Sequence, residues 1–207
     1  MRLDHVIYGA RNLRDTAARL EEEHGLRFLR GGRHPGGTVN SLAPLEPPQY
    51  LELLAVEEVG VGDALTRELD ALLAEGRTLV GWGIVVDDID VVAARLGRYI
   101  EAGSIAAADG STSSWRVVAS DDSSMPFFIA YDGDLDARLK RWQERVREAG
   151  NESLGGFTFV EVGDDPERMR AWLGDADLPI RFVNGRPGLH AVGIAGRAGE
   201  IVLRDNA

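Results

Sequence analysis

Cysteine is absent from the 207-residue chain, which excludes disulfide frameworks, thiolate nucleophiles and cysteine-ligated zinc or iron-sulfur centres. Lysine is nearly absent. The one instance, Lys140, lies in the charged run RLKRWQERVRE, a poor setting for a Schiff-base amine, which needs desolvation to become nucleophilic. Long apolar runs are missing too: stretches such as Leu53 to Val56 and Gly81 to Val86 fall far short of the roughly 20 residues a membrane helix needs. The opening MRLDHVIYGA has no signal-peptide apolar region, so the expectation is a cytoplasmic protein with no membrane partner. Basic residues are outnumbered, 23 Lys and Arg against 34 Asp and Glu for a net charge of −11. Nucleic acid is bound by Lys and Arg displacing counterions from a polyanion, so it is not an expected partner. No GxSxG elbow, HExxH pair or strand-following GxGxxG occurs, which leaves hydrolase, zincin and dinucleotide-binding readings without support.

What the chain does have is an internal period. Ala17-Ala18-Arg19-Leu20 recurs as Ala93-Ala94-Arg95-Leu96, an offset of 76, and PQYLELLAV from Pro48 recurs in character as PFFIAYD from Pro126, an offset of 78. Arg27-Phe28-Leu29 with the following GGRHPGG is echoed 154 residues on by Arg181-Phe182-Val183 with NGRPG. The three agree on a spacing near 77.

Local patterning divides the chain the same way. In the first unit Leu3 to Tyr8 reads as a strand, Asn12 or Asp15 can cap a helix carrying Leu13, Ala17 and Leu20 on one face, and Gly25 stops it. Three short strands follow at Arg27 to Leu29, Thr38 to Leu42 and Tyr50 to Val56, separated by GGRHPGG and PLEPP. The order is β-α-β-β-β. The second unit repeats it with Leu79 to Val86, a helix bearing Ile89, Val92, Ala93, Leu96 and Ile100, and strands near Ser104 to Ala107, Ser114 to Ala119 and Pro126 to Tyr131. The third runs from Phe157 to Val162 through a helix at Pro166 to Leu173, then Ile180 to Val183, His190 to Ala195 and Ile201 to Leu203. The expected organisation is module 1 over 1–57, a linking helix over 58–78, module 2 over 79–132, a linking helix over 133–152 and a βαβββ-like module 3 over 153–207.

The linking helices are amphipathic, with Leu65, Leu69, Leu72 and Leu73 on one stripe and Leu135, Leu139, Trp142 and Val146 on the other. Both stripes read as core packing and the charged faces as solvated. Asp87, Asp88 and Asp90 look like a calcium-type run, but at a helix start their better account is capping and dipole complementation.

A repeated β-α-β-β-β unit that opens LDHVIYGARNL, carries GGRHPGGTVNSL from Gly31 to Leu42 and closes YLELLAV resembles the glyoxalase-like domain proteins of the vicinal oxygen chelate superfamily, which includes glyoxalases, bleomycin resistance proteins and dioxygenases. The resemblance implies an α+β fold in which the first two modules pair into a curled, cavity-forming mixed sheet. It also implies a divalent metal, such as zinc, nickel, iron or manganese, held by the first and fourth strands of each unit. The third module, lacking an internal partner, is expected either to pack on the side of that pair or to meet a second copy in a homodimer.

Carried over residue by residue, the pattern is half filled. His5 and Glu52 occupy the two ligand positions of the first unit; Gly81 or Gly83 stands opposite His5 in the second and Ala130 opposite Glu52. Two ligands fall one short of the three that a catalytic metal normally needs. His34, in the loop before the third strand, is the candidate third ligand. Without a metal, His5 and Glu52 can instead form a hydrogen-bonded pair across adjacent strands, serving as an acid-base couple or holding a polar ligand. Asn40 alternates with Thr38 and Leu42 and can face the same cavity. Trp82 and Trp115 can line it where ligands are missing, or simply pack in the core. Arg33 with His34 makes a locally positive loop suited to an anionic ligand, although its glycines can equally serve only turns.

Two functions follow for this small-molecule cavity. One is a lyase, isomerase or dioxygenase-type enzyme with a degenerate metal site, His5 and Glu52 being catalytic. The other is a non-catalytic binder of a metabolite or drug, of the resistance type.

Overall fold

The computed structural model describes residues 1–58, 62–107, 112–122, 124–174 and 176–206. Its helices begin where the sequence offers a side-chain oxygen to free backbone N–H groups. Helix α1 (Leu13–His24) is capped by Asn12, which accepts from the Asp15 N–H, and ends on Gly25 at φ 72°. Asp63 caps α2 (Ala64–Ala74), Asp88 caps α3 (Ile89–Leu96) and Asp134 caps α4 (Leu135–Ala149). Asp165 caps α5 (Pro166–Leu173), whose proline at the first turn forfeits no helical hydrogen bond. The Asp87 to Asp90 run is thus a helix cap: Asp88 accepts from the N–H groups of Asp90 and Val91.

Strands β1 (Arg2–Gly9), β2 (Leu29–Arg33), β3 (Thr38–Pro44) and β4 (Tyr50–Val56) belong to the first half of the barrel. Strands β5 (Leu79–Val85), β6 (Glu101–Ala107), β7 (Thr112–Val118) and β8 (Phe127–Tyr131) belong to the second. Together they close in the order β1-β4-β3-β2-β6-β7-β8-β5. Each half pairs its first strand in parallel with its last, placing His5 beside Tyr50 and Gly83 beside Phe127. The halves join antiparallel at two seams, β1 to β5 and β2 to β6. The second seam turns the expected curled sheet into a closed barrel, which leaves no edge strand unpaired.

Strand β2 departs from the sequence reading, which ends a strand at Leu29 and leaves GGRHPGG as loop. It begins at Leu29 and takes in Gly31 and Gly32. A Cβ at Gly31 would collide with the Asn40 side chain, and one at Gly32 with the Ala106 carbonyl. Glycine here is the condition for β2 to lie between β3 and β6. In β1 the register against β5 breaks: Leu3 faces Ile84 and His5 faces Gly83, so Asp4 is an extra residue set against two consecutive partners. That is a β-bulge, and it re-aims Asp4.

The remaining strands, β9 (Phe157–Gly163), β10 (Ile180–Phe182), β11 (Gly188–Gly196) and β12 (Gly199–Arg204), form a separate sheet ordered β10-β9-β11-β12. Its chain order, strand then helix then three strands, matches the barrel halves, but its strand order does not. Here the strand after the helix lies directly beside the first, in parallel; in the barrel halves it lies farthest from it. This sheet packs on the outer side of the barrel. Trp82, Ile84 and Phe128 share one hydrophobic cluster with Val160, Val192 and Leu203. Trp172 of α5 stands 5.7 Å from the Phe128 ring and donates its indole N–H to the Pro126 carbonyl at 2.8 Å.

Candidate functional site

Inward-facing side chains leave a cavity of about 980 Å³ between the barrel wall and helices α2 and α4. His5 and Glu52 both face it, from β1 and β4, and both are buried, as is Asn40. Glu52 Oε2 lies 3.7 Å from His5 Nε2, beyond direct hydrogen bonding. Asn40 bridges the Glu52 carboxylate to the glycine strand: its amide donates to Oε1 at 2.7 Å and its carbonyl oxygen accepts from the Gly32 N–H at 2.8 Å.

Behind His5 stands a group that strand periodicity hides. Asp4, turned by the bulge and fully buried, accepts from His5 Nδ1 at 2.8 Å, from the Tyr131 hydroxyl at 2.7 Å and from an Arg138 guanidinium nitrogen at 2.9 Å. Burial pushes its pKa up, but the His5 hydrogen bond, the charges of His5 and Arg138 and the Tyr131 hydroxyl outweigh that and hold it below the ordinary carboxylate value. An ionised carboxylate only accepts, so His5 Nδ1 carries a proton and the ring turns Nε2 toward the cavity. The ring is also fixed by stacking. Tyr50 lies parallel to it at 4.6 Å, and Trp142 of α4 lies parallel to Tyr50 at 4.7 Å. Burial raises the Tyr50 and Tyr131 hydroxyls well above the usual phenol value, so both stay protonated; Tyr131 donates to Asp4 and Tyr50, 3.1 Å away, donates to Tyr131.

Gly83 supplies the space for this ring. A Cβ there would come within 2.8 Å of both His5 Cε1 and the Phe127 ring. Gly103 does the same for Trp115, whose indole lines the cavity and would clash with any side chain at that position. His34 also reaches the cavity wall, but its Nδ1 is engaged with Thr38 Oγ1 at 2.9 Å and its ring stands edge-on to Trp115. Burial lowers its pKa, so it is neutral near pH 7.

Several expected site residues lie elsewhere. Trp82 is on the face of β5 opposite Gly81 and Gly83, 1% exposed, in the core beneath the small sheet. Arg33 points away from the cavity and pairs with Glu57. The position opposite Glu52 is not Ala130, which faces the outer core; the cavity-facing residues of β8 are Phe127, Ile129 and Tyr131. The α4 stripe is more than core packing, because Arg138, Arg141, Trp142 and Arg145 line the cavity.

The metal implied by the resemblance does not fit these residues. Among the described residues no three His, Asp or Glu side chains converge to hold an ion. His5 Nε2 and Glu52 Oε2 face one another at 3.7 Å, but His34, bonded to Thr38 through Nδ1, does not converge with them. At the positions that correspond to His5 and Glu52 the second half has Gly83 and Ile129, neither with a donor side chain.

A family model described as "Glyoxalase-like domain" matches residues 3–176. No curated protein matches the chain. Among solved structures, a hypothetical protein from Staphylococcus aureus is 17% identical with a TM-score of 0.66, the match covering 98% of this chain and 84% of that one. A variant methylmalonyl-CoA epimerase from Streptomyces coelicolor, in complex with 2-nitronate-propionyl-CoA, is 16% identical over 63% of this chain and 96% of its own, with a TM-score of 0.48. At these identities the first likeness shows a shared fold alone.

Proposed function

Since the chain belongs to the glyoxalase-like domain family, we propose that its barrel cavity binds a small polar metabolite and that His5 and Glu52 move a proton on it without a metal. The observation that carries this is the Asp4 to His5 hydrogen bond at 2.8 Å. It fixes the histidine tautomer with Nε2 free, 3.7 Å from a second proton carrier. That separation is too long for a direct hydrogen bond and leaves both atoms free to meet one substrate atom from the cavity side.

In this reading His5 Nε2 takes a proton from an acidic O–H, or from a C–H beside a carbonyl, and Asp4 stabilises the imidazolium that forms. Glu52, oriented by Asn40, returns or relays the proton. The Tyr131 hydroxyl gives its proton to Asp4 and takes one from Tyr50, 3.1 Å away, so the two phenols brace Asp4 rather than donate to the substrate. Trp115 and the Tyr50 to Trp142 stack supply apolar walls, and His34 a further polar contact. This is isomerase or lyase chemistry; a dioxygenase would require the metal the donor set does not accommodate. The 77-residue spacing is assigned to tandem duplication over 1–57 and 79–132, with 153–207 as a divergent third unit that supports the barrel from outside.

A second reading, a non-catalytic binder, is favoured by the size of the cavity. About 980 Å³ is at the upper end of the roughly 300–1,000 Å³ usual for ligand pockets. Proton exchange separates the two. Small carbonyl and hydroxy compounds would be screened for binding by NMR, then incubated with protein in deuterium oxide. Catalysed C–H exchange that disappears in both His5→Ala and Glu52→Gln establishes the enzyme; tight binding without exchange establishes the binder. No binding by any compound in a broad screen sinks both.

A further inference from the structure

Outside the barrel, at the C-terminal end of β1, lies a second recess of about 200 Å³, lined by Arg11, Arg19 and Arg77 with Tyr8, Thr16 and Thr78. Tyr8 points to the opposite face of β1 from Ile7, so the recess is separate from the cavity that His5 faces. It is an island of positive charge on a chain with a net charge of −11.

The compensation of these arginines is incomplete. Among the described residues Arg11 has no carboxylate partner; it donates to the Leu73 carbonyl at 2.8 Å, in the last turn of α2. Arg19 divides its guanidinium between the Tyr8 hydroxyl at 2.9 Å and Glu23 at 3.0 Å. Arg77 Nε is buried with no hydrogen-bond partner. Its nearest carboxylate, Asp205, stands 3.6 Å away and is already engaged by the Thr78 and Leu79 N–H groups and by Arg186. Glu75 is the other acid whose field reaches Arg77. Arg11 lies just before the Asn12 cap of the 12-residue helix α1, and Thr16 closes its first turn, so both reach the recess from one end of that helix.

From this cluster we infer that the recess is a binding site for a small tetrahedral oxyanion, inorganic phosphate or the phosphate of a compact ester. Planar guanidinium groups offer paired N–H donors to phosphate oxygens; the Thr16 hydroxyl adds a neutral donor. The volume is below the range for drug-sized ligands, which restricts the occupant to the anion with little attached. Phosphate there would tie α1 to the start of β5 and, through Arg77, to the C-terminal Asp205.

Isothermal titration calorimetry with sodium phosphate at constant ionic strength tests this, using the intact chain, with sodium sulfate and sodium acetate as parallel arms. The expected result is saturable one-to-one binding of phosphate, weaker sulfate binding and none of acetate. Arg11→Gln and Arg19→Gln should each weaken phosphate by roughly tenfold or more, the scale of losing a charge-assisted hydrogen bond. Arg14→Gln, which removes the same charge from an exposed position of α1 outside the recess, should leave it unchanged. Absence of saturable phosphate binding overturns the site. So does an equal loss in Arg14→Gln, which would reduce the effect to overall charge. His5→Ala should bind phosphate as the parent does, so the result does not depend on the chemistry proposed for the barrel.

Discussion

Replacing Asp4 by asparagine tests the central contact of the barrel. The carboxylate is fully buried and receives three hydrogen bonds, from His5, Tyr131 and Arg138. Asparagine keeps the shape but removes the charge, leaving the buried Arg138 guanidinium without its counter-ion. Removing one member of a buried, hydrogen-bonded ion pair costs about 3–5 kcal/mol. The Arg138 guanidinium also lies 3.6 Å over the Tyr131 ring, a cation-π contact worth roughly 0.5–2 kcal/mol that survives the change. The expected loss is therefore at the lower end, about 3 kcal/mol, or roughly 6–12 °C in Tm for a chain of this size. The pH dependence has a definite sign. The folded-state pKa of Asp4 is depressed, so its contribution is fully present above the unfolded value of about 3.9 and is lost as pH falls through the lower folded value. Thermal unfolding followed by circular dichroism should show the gap between parent and Asp4→Asn at pH 7 and its closing below about pH 4. The double variant Asp4→Asn with Arg138→Met should regain much of the loss, because it no longer buries an unpaired cation. A Tm within about 1 °C of the parent at pH 7, where each kcal/mol is worth about 2–4 °C, would refute the pairing.

Three further outcomes follow from the same geometry. Gly83→Ala places a methyl group 2.8 Å from His5 Cε1 and from Phe127; overpacking of this kind costs about 1–3 kcal/mol. It should shift the His5 imidazole resonances in NMR spectra, and unchanged resonances would mean the ring has room to spare. Asn40→Ala removes the donor to Glu52 and the acceptor of Gly32 N–H, with an expected loss of about 1–3 kcal/mol in urea unfolding; a change under about 0.5 kcal/mol would make that bridge idle. Trp82→Ala should cost about 3–5 kcal/mol and leave ligand affinity unchanged, whereas Trp115→Ala should weaken ligand binding with a smaller effect on stability. Equal effects on affinity would contradict the placement of the two indoles on opposite sides of the barrel wall.

Helix starts and the βαβββ order were legible because their causes are local. An aspartate or asparagine before an apolar stripe caps a helix through its own neighbours, and a two-residue alternation declares which face of a strand is buried. Glu52 and Asn40 were legible for the same reason, each being a polar residue at an inward position of a regular strand; His5 faces inward with Ile7, although the bulge before it sends Leu3 to the core. Trp82 takes the second of the two places open to it, the core: on β5 the inward positions are glycines, kept empty for His5 and Ile7, so the tryptophan between them faces outward. Arg33 was misread because the double glycine looks like loop. Those glycines instead let β2 pass beside Asn40 and β6, and Arg33 ends the strand pointing to Glu57.

Asp4 and Arg138 were invisible for a different reason. Each alone scores as a solvated charge: Asp4 falls on the face opposite His5 if β1 is regular, and Arg138 lies within a run of helical charges. Their burial is a property of the pair, made across 134 residues and permitted by a one-residue bulge that leaves no mark on hydropathy. The cue that does remain in the sequence is stereochemical. Arg138 lies between Leu135 and Trp142 on the α4 stripe, four residues before the tryptophan, so any helix that buries Trp142 against the barrel must also carry Arg138 inward. A buried arginine requires a carboxylate, and among the described residues the buried acids are Asp4 and Glu52. Glu52 is held by Asn40, which leaves Asp4. Once Asp4 is drawn to Arg138 its second oxygen meets His5, so the ion pair that seats α4 over the cavity mouth also fixes the tautomer of the histidine within it.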